Sequence, residues 1–160
     1  MLCLCVGLLL ASPGFAEDGV GSVTRYPLPR FVSIDRSEAN LRAGPGKEYP
    51  ILAVLQWRNV PVKIVEEYDV WRKVELHDGS TGWLHRVLLD GARTFLIQGD
   101  PVVVRAEPSA KAEAVATFAP GVIAKLEHCP KAWCQVRYKH YEGWVPRTSG
   151  WGMLPDEVLE

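Results

Sequence analysis

Residues 40–46 read NLRAGPG and residues 103–109 read VVRAEPS, so one short block of the sequence occurs twice. Two further blocks recur in the same order: VWRKV at 70–74 returns as AWCQV at 132–136, and GWLHR at 82–86 returns as GWVPR at 143–147. The offset falls from 63 residues (40 to 103) to 62 (70 to 132) and 61 (82 to 143). Three ordered blocks at nearly constant spacing indicate an internal duplication, and each copy of about 55 residues is long enough for a small barrel.

Each copy consists of short strands separated by turns. Runs rich in β-branched and aromatic residues lie at 51–55, 60–65, 71–76 and 81–84, and in the second copy at 114–118, 122–126, 133–138 and 142–145. Strands this short bury their edges only by closing on themselves, so the sequence predicts an all-β fold of two tandem small barrels. Residues 89–93 join the copies and a strand at 94–98 opens the second. So brief a linker predicts two barrels in contact.

The composition excludes several classes of function. The chain has 160 residues, of which 48% are hydrophobic, and a net charge of −1, which is unlike a disordered protein. Its 18 Lys and Arg are matched by 19 Asp and Glu, so no basic excess favours nucleic acid. The sequence contains no Gly-x-Ser-x-Gly, His-Glu-x-x-His or phosphate-binding loop, and we expect neither catalytic residues nor a cofactor. Glu66 and Glu67 are adjacent, so in a strand they point to opposite faces and cannot form an acid–base pair.

The first 16 residues, MLCLCVGLLLASPGFA, are apolar and end in small residues. The run is shorter than the about 20 apolar residues of a membrane span, and Gly14 and Ala16 fit a signal-peptidase site. Although no Lys or Arg precedes the run, we predict a signal peptide cleaved after Ala16. A buried N-terminal strand or helix is the alternative. The mature chain is then expected to be periplasmic or secreted and not membrane-spanning.

Two of the four cysteines lie within this signal peptide, and Cys129 and Cys134 remain. In an oxidising compartment, two cysteines around a four-residue loop predict a disulfide. The alternative is a metal site in which His128 and His140 join the pair. No second cysteine pair or paired-histidine motif accompanies them, and we expect no metal.

Three motifs of the first copy, NLRAGPG at 40–46, Trp-x-Lys-Val at 71–74 and Asp-Gly-x-x-Gly-Trp-Leu at 78–84, together resemble the bacterial Src homology 3 (SH3) domain. The end of the second copy, GWVPR, is similar to the same family. The resemblance covers about residues 30–152 and implies two five-stranded, partly open barrels with a binding role. It also extends to exported Gram-negative envelope proteins with paired copies of this domain.

The resemblance gives two SH3-like domains, 30–92 and 93–152. Together with the predicted signal peptide (1–16), this leaves an N-terminal extension (17–29) and an acidic tail (153–160). The tail is expected to be either disordered or a docking peptide. The second copy departs from the family pattern, with Glu107 and Ser109 in place of glycines and Ala112 in place of Tyr49. Its loop should be shaped differently, which makes the first copy the better candidate for binding.

Strand alternation separates core residues from surface residues. If Val74, Leu76 and Leu84 face the core, then Trp71, Trp83 and His85 face outward. The second copy repeats the pattern, with Val136, Tyr138 and Val145 inward and Trp133 and Trp144 outward. We expect exposed indoles to form a contact surface, although they could instead cover an open edge or fill the seam between copies. Arg42 and Arg105 are expected to tie the long loop of each copy to backbone carbonyls.

The sequence thus predicts a non-catalytic binding module of the bacterial cell envelope. Its ligand would be a peptidoglycan peptide stem or an extended peptide of a partner protein, docked across aromatic side chains. The candidate residues are Tyr49, Trp57, Trp71, Trp83 and His85, with Trp133 and Trp144 as second-copy equivalents. In SH3 domains, positions such as those of Tyr49 and Trp57 form one wall of the groove. Loop packing is their alternative role. The alternative function is a structural accessory subunit of an envelope complex with no cell-wall ligand.

Overall fold

The computed structural model describes residues 19–160, which form two antiparallel β-sheets, one for each copy of the repeat. The predicted signal peptide lies outside the described residues. Between residues 19 and 160, no helix has the length and hydrophobicity needed to cross a membrane.

Seven strands form the first sheet, in the order β3-β2-β6-β5-β4-β1-β7. They are β1 (Arg30–Ile34), β2 (Ala39–Arg42), β3 (Ile51–Leu55), β4 (Pro61–Tyr68), β5 (Trp71–Glu75), β6 (Thr81–His85) and β7 (Leu89–Asp90). A single 3-10 turn at Arg86–Leu88 links β6 to β7. The four strands predicted for this copy are all present, and β4 continues three residues beyond the predicted end, from 65 to 68.

The second sheet repeats this order strand for strand, as β10-β9-β13-β12-β11-β8-β14. Its strands are β8 (Thr94–Ile97), β9 (Val102–Arg105), β10 (Ala114–Phe118), β11 (Ile123–His128), β12 (Trp133–Tyr138), β13 (Tyr141–Pro146) and β14 (Gly150–Trp151). The duplication seen in the sequence is therefore a duplication of the whole sheet.

Each sheet has seven strands rather than the five implied by the resemblance. One of the additional strands, β7, lies within the predicted linker at residues 89–93 and so shortens it. Two residues of that linker pair with β1, Leu89 with Ile34 and Asp90 with Ser33. Only residues 91–93 therefore separate the two sheets.

Each barrel encloses its own hydrophobic core, built from the residues that alternation assigned to it. Val74 and Leu84 are fully buried in the first core, and Val136 and Val145 are fully buried in the second. Tyr138 packs against the second core from its margin. Burying such aliphatic side chains contributes roughly 1.5–3 kcal/mol each, which is the main stabilisation available to a barrel this small.

The two barrels are in contact, as the short linker predicted. The ring of Phe31 meets Trp151 edge to face, with centroids 5.1 Å apart, and the Lys63 ammonium lies over the same indole at 5.0 Å. The hydroxyl of Thr94 donates a hydrogen bond of 2.7 Å to the carbonyl of Asn59. The seam is therefore closed by Trp151, which the sequence analysis did not single out, rather than by the paired indoles of the repeat.

The acidic C-terminal segment packs against its own barrel. The amide of Cys129 donates a 2.7 Å hydrogen bond to the carbonyl of Leu159. The Arg147 guanidinium donates to the Pro155 carbonyl at 2.7 Å, and Glu157 forms an ion pair with Arg93. The expectation of a disordered tail is wrong, because these polar contacts fix its backbone and Leu159 packs on the second core.

Candidate functional site

The predicted aromatic residues of the first copy lie on the outer face of β5 and β6. Antiparallel partners share a face, and here Trp71 pairs with His85 and Lys73 pairs with Trp83. The cluster inside the barrel contains Val74 and Leu84 but neither indole. The strand alternation read from the sequence therefore assigns these side chains to the faces they occupy.

The expectation that these two indoles are exposed is wrong. Trp71 and Trp83 are each only 8% exposed. Trp71 meets the imidazole of His85 edge to face, with centroids 5.3 Å apart. Trp83 lies between Lys73 on β5 and Arg42 on β2, its cross-strand neighbours on the same face. Long polar side chains with apolar stems cover flat rings well, so the outer face forms a second packed layer.

The loop between β2 and β3, residues 43–50, is fastened to this layer by Arg42. Its guanidinium donates hydrogen bonds to the carbonyls of Lys47 at 3.1 Å and Tyr49 at 2.9 Å, the structural role expected for it. The ring of Tyr49 closes over Gly44, where an added Cβ would lie 2.3 Å from the ring. The absence of a side chain at Gly44 therefore allows the Tyr49 ring to approach the backbone this closely.

Between this loop and β6 lies a groove of about 290 Å³ in the first barrel. Trp71 and His85 are part of its lining, and the Nδ1 atom of His85 accepts a 3.3 Å hydrogen bond from the amide of Val87. Other lining residues are Glu38, Asn40, Arg42, Lys47, Val87 and Leu88. The groove thus combines aromatic rings with one carboxylate and two cations. Glu38, Asn40, Lys47, Val87 and Leu88 were not predicted, because only the closed barrel brings them to Trp71.

The predicted site residues do not form one site. Trp71 and His85 line the groove, Trp83 is covered beside it, and Tyr49, 41% exposed, supports the loop. Trp57, 72% exposed, lies elsewhere, in a cleft of about 860 Å³ between the two barrels. That cleft is also lined by His77, Gln98 and Tyr138.

The second copy has the same strand pairing and the same arginine anchor for its loop, but different side chains at the groove positions. Arg105 donates a 2.9 Å hydrogen bond to the carbonyl of Ala112, again tying the loop to the sheet. Trp133 pairs with Pro146 in place of a histidine, and Trp144 lies between Gln135 and Arg105. Both indoles are partly buried. The Tyr49 ring, the Lys47 ammonium and the His85 imidazole have no equivalents here.

Cys129 and Cys134 are bonded to each other, which confirms the predicted disulfide. Both residues are fully buried. Because each sulfur is committed to the bridge, the alternative of a metal site built on this pair with His128 and His140 is wrong. Among residues 19–160, no group of three or more His, Cys, Asp or Glu side chains is arranged to hold a metal ion.

A buried carboxylate attaches the N-terminal extension to the first barrel. Glu67 is 5% exposed and accepts hydrogen bonds from the amides of Val23 at 3.0 Å and Thr24 at 2.8 Å. It also accepts from the Thr24 hydroxyl at 2.7 Å and the Arg30 guanidinium at 2.8 Å. Burial would raise the pKa of Glu67, but these donors outweigh it and lower the pKa to about 2. Glu66, its neighbour, is exposed, as alternation requires.

A comparison with protein-family models agrees with this architecture. The family model for the bacterial SH3 domain matches the chain twice, at residues 35–91 and 98–152. A search of curated proteins found no match. Among solved structures, "NlpC1" from Trichomonas vaginalis is similar at 11% identity and a TM-score of 0.36, with 87% of this chain and 51% of that one covered. "NlpC2" from the same organism is similar at 11% identity and a TM-score of 0.34, with 80% and 49% covered. The chain spans about half the length of these two proteins.

Proposed function

The chain belongs to the bacterial SH3 domain family, with two copies of the domain in tandem, and we propose that it is a non-catalytic binding module of the bacterial cell envelope. Its ligand is a short peptide, the stem peptide of peptidoglycan, held in the groove of the first copy. The observation that carries this proposal is the groove itself, where Trp71 and His85 lie beside charged side chains of both signs. An accessory subunit with no wall ligand is the competing function.

The groove suits a small zwitterionic peptide better than an apolar molecule. Lys47 provides an ammonium for a peptide carboxylate and Glu38 provides a carboxylate for an amine, both at the groove. Arg42 is already committed to loop carbonyls, so Lys47 is the cation available for binding. Trp71 and His85 line the groove and pack against each other edge to face, so this wall is already rigid and little entropy is lost on binding.

The proposed location is the periplasm or the cell exterior, reached through the signal peptide at residues 1–16. A disulfide between Cys129 and Cys134 is a feature of oxidising compartments. Cell fractionation followed by N-terminal sequencing of the mature protein tests this part. A mature sequence that begins at residue 17, found in a periplasmic or secreted fraction, supports the proposed location. An intact N-terminus in the cytoplasm contradicts it.

Co-sedimentation of the mature protein with purified sacculi tests the wall ligand. We expect binding that falls at least about tenfold in Lys47→Glu and in Val87→Arg, because each change alters the groove without removing a buried side chain. Thr148 is the exposed second-copy equivalent of Val87, and Thr148→Arg serves as the matched control. Full competition by soluble stem peptide identifies the peptide as the ligand. Absence of any binding to sacculi overturns the wall ligand and favours the accessory function.

A further inference from the structure

The cleft between the two barrels contains an aromatic side chain that is left open to solvent. Trp57 is 72% exposed, the highest fraction among the large hydrophobic residues of residues 19–160. It is one of the side chains that line the cleft of about 860 Å³, and it is not part of the groove at Trp71. An open indole in a cleft between two domains marks a place where a ligand can bind.

The turn that carries Trp57 does not need an indole in order to form. Each copy has this turn, with a positive φ of 67° at Asn59 in the first copy and of 90° at Gly121 in the second. The amide of Asn59 donates a hydrogen bond to the last carbonyl of β1 at 2.7 Å, and the amide of Gly121 donates to the last carbonyl of β8 at 2.9 Å. The residue two positions before Asn59 is Trp57, whereas the residue two positions before Gly121 is Ala119. Since the same turn forms with an alanine, the fold does not account for the indole.

Two hydrogen bonds between the barrels hold the walls of the cleft in place. The side-chain amide of Gln98 donates to the Nδ1 atom of His77 at 3.2 Å. The hydroxyl of Thr94 donates to the carbonyl of Asn59 at 2.7 Å. Gln98, His77 and Asn59 are all part of the cleft lining. The cleft is therefore formed before a ligand arrives, which reduces the entropy lost on binding.

The polar side chains of the cleft are suited to a neutral ligand. Among the described residues that line it there is no Asp, Glu or Lys, and the one permanent charge, on Arg58, is paired with Asp35 at 2.6 Å. Gln56 and Asn59 are exposed in the lining, and a side-chain amide both donates and accepts hydrogen bonds. A ligand rich in hydroxyl groups, which also donate and accept, is therefore matched better than a charged one.

We propose that this cleft binds a neutral saccharide of glucose-type rings, with one sugar ring stacked on the indole of Trp57. A pyranose ring with equatorial hydroxyl groups has C–H groups on its flat faces and hydroxyl groups around its edge. The faces match the aromatic rings of Trp57 and Tyr138, and the edge matches the amides of Gln56 and Asn59. The volume of the cleft lies within the range of roughly 300–1,000 Å³ that is usual for small-molecule sites. The cleft shares no lining residue with the groove proposed for the stem peptide, so the two sites are separate.

Isothermal titration calorimetry of the mature protein tests the site with two uncharged probes, the β-1,4-linked tetramers of N-acetylglucosamine and of glucose. We expect binding whose affinity falls at least about tenfold in Trp57→Ala, the loss typical of removing a central aromatic contact. Trp57→Phe keeps a flat ring and should retain most of the affinity. Tyr68→Ala removes an exposed aromatic side chain outside the cleft lining and is the matched control, expected to bind as the wild type does. Because both residues are exposed, the variants should fold, which thermal unfolding verifies.

The two probes also separate the sources of such a saccharide, because they differ only in the acetamide or hydroxyl group at carbon 2 of each ring. Binding of the N-acetylglucosamine tetramer alone supports the site and assigns it to amino-sugar glycans, the class to which the cell-wall glycan belongs. Binding of the glucose tetramer as well supports a site for glucose-type chains in general. Failure of both tetramers to bind overturns the saccharide site. So does binding that Trp57→Ala leaves unchanged.

Two further measurements distinguish the cleft from the peptide groove. The affinity for the tetramers should be nearly the same at low and high salt, since a neutral ligand has no charge to screen. Lys47→Glu, which alters the groove, should leave that affinity unchanged, and a loss in this variant overturns the assignment to the cleft. A soluble stem peptide that shifts the indole N–H resonance of Trp57, while neither tetramer binds, overturns the saccharide site in favour of a peptide site. The probes contain no peptide, so failure of either proposed site leaves the other to be judged on its own.

Discussion

The indole of Trp71 meets the imidazole of His85 edge to face, with ring centroids 5.3 Å apart. This contact belongs both to the packing of the outer face and to the lining of the groove. Because Trp71 is 8% exposed, its removal leaves a cavity rather than only a missing contact surface. It is thus an unsuitable residue for testing binding alone.

Trp71→Ala should lower the free energy of unfolding by about 3–5 kcal/mol, the usual cost of truncating a buried large aromatic residue. Trp133→Ala should cost less, since Trp133 is more exposed and lacks a histidine partner. Denaturant unfolding of both variants measures the difference. Small and equal losses in the free energy of unfolding of the two variants would contradict the buried packing of Trp71.

Stability should depend on pH through Glu67. Its pKa in the folded chain is about 2, against a reference value of 4.5. The stabilisation is therefore complete above pH 4.5 and is lost as the pH falls toward 2, a change of about 3 kcal/mol. Unfolding measured across this range should show a decline in the wild type that is reduced in Glu67→Gln. Glu66→Gln, at the exposed neighbour, is the control and should behave as the wild type does.

The loop that forms the groove should depend on the fit of Tyr49 over Gly44. A Cβ at position 44 would lie 2.3 Å from the Tyr49 ring, so Gly44→Ala displaces the ring and destabilises the fold. In the double variant Gly44→Ala/Tyr49→Ala the clash is absent, and the combined loss should be smaller than the sum of the single losses. Thermal unfolding of the wild type, the two single variants and the double variant completes this double-mutant cycle. Strictly additive losses of stability would contradict the close approach of the Tyr49 ring to Gly44.

Reduction of the Cys129–Cys134 bridge should destabilise the second barrel by about 2 kcal/mol, as expected for a short closed loop. Because the amide of Cys129 also binds the carbonyl of Leu159, the C-terminal segment should loosen at the same time. Denaturation with and without reductant measures the first effect, and limited proteolysis of the C-terminus measures the second. An unchanged midpoint and unchanged cleavage would show that the bridge does not support this contact.

Much of the fold follows from the sequence because its signals are local. The period of two along β5 and β6 assigns Val74 and Leu84 to the core and Trp71 to the other face. Turn residues mark where most strands end. Strands β1, β2, β7, β9 and β14 were not predicted. Two of them, β7 and β14, are only two residues long and exist through their pairing with β1 and β8.

Exposure and the make-up of the site were harder to predict. Whether Trp83 is open or covered depends on Arg42, which is 41 residues away in sequence (42 to 83) and opposite it in the sheet. The role of Glu67 depends on Val23 and Thr24 in a segment without a strong pattern of its own. Such contacts are set by the closed barrel and by no single stretch of the chain.

The most direct test of the proposed binding role is a heteronuclear NMR titration of the folded protein with a soluble peptidoglycan stem peptide. We predict chemical-shift changes confined to the groove: the amides of Lys47 and Val87, the indole N–H of Trp71 and the ring of His85. Changes centred on Trp133 and Trp144, or none at saturating peptide, would contradict the assignment of binding to the first barrel.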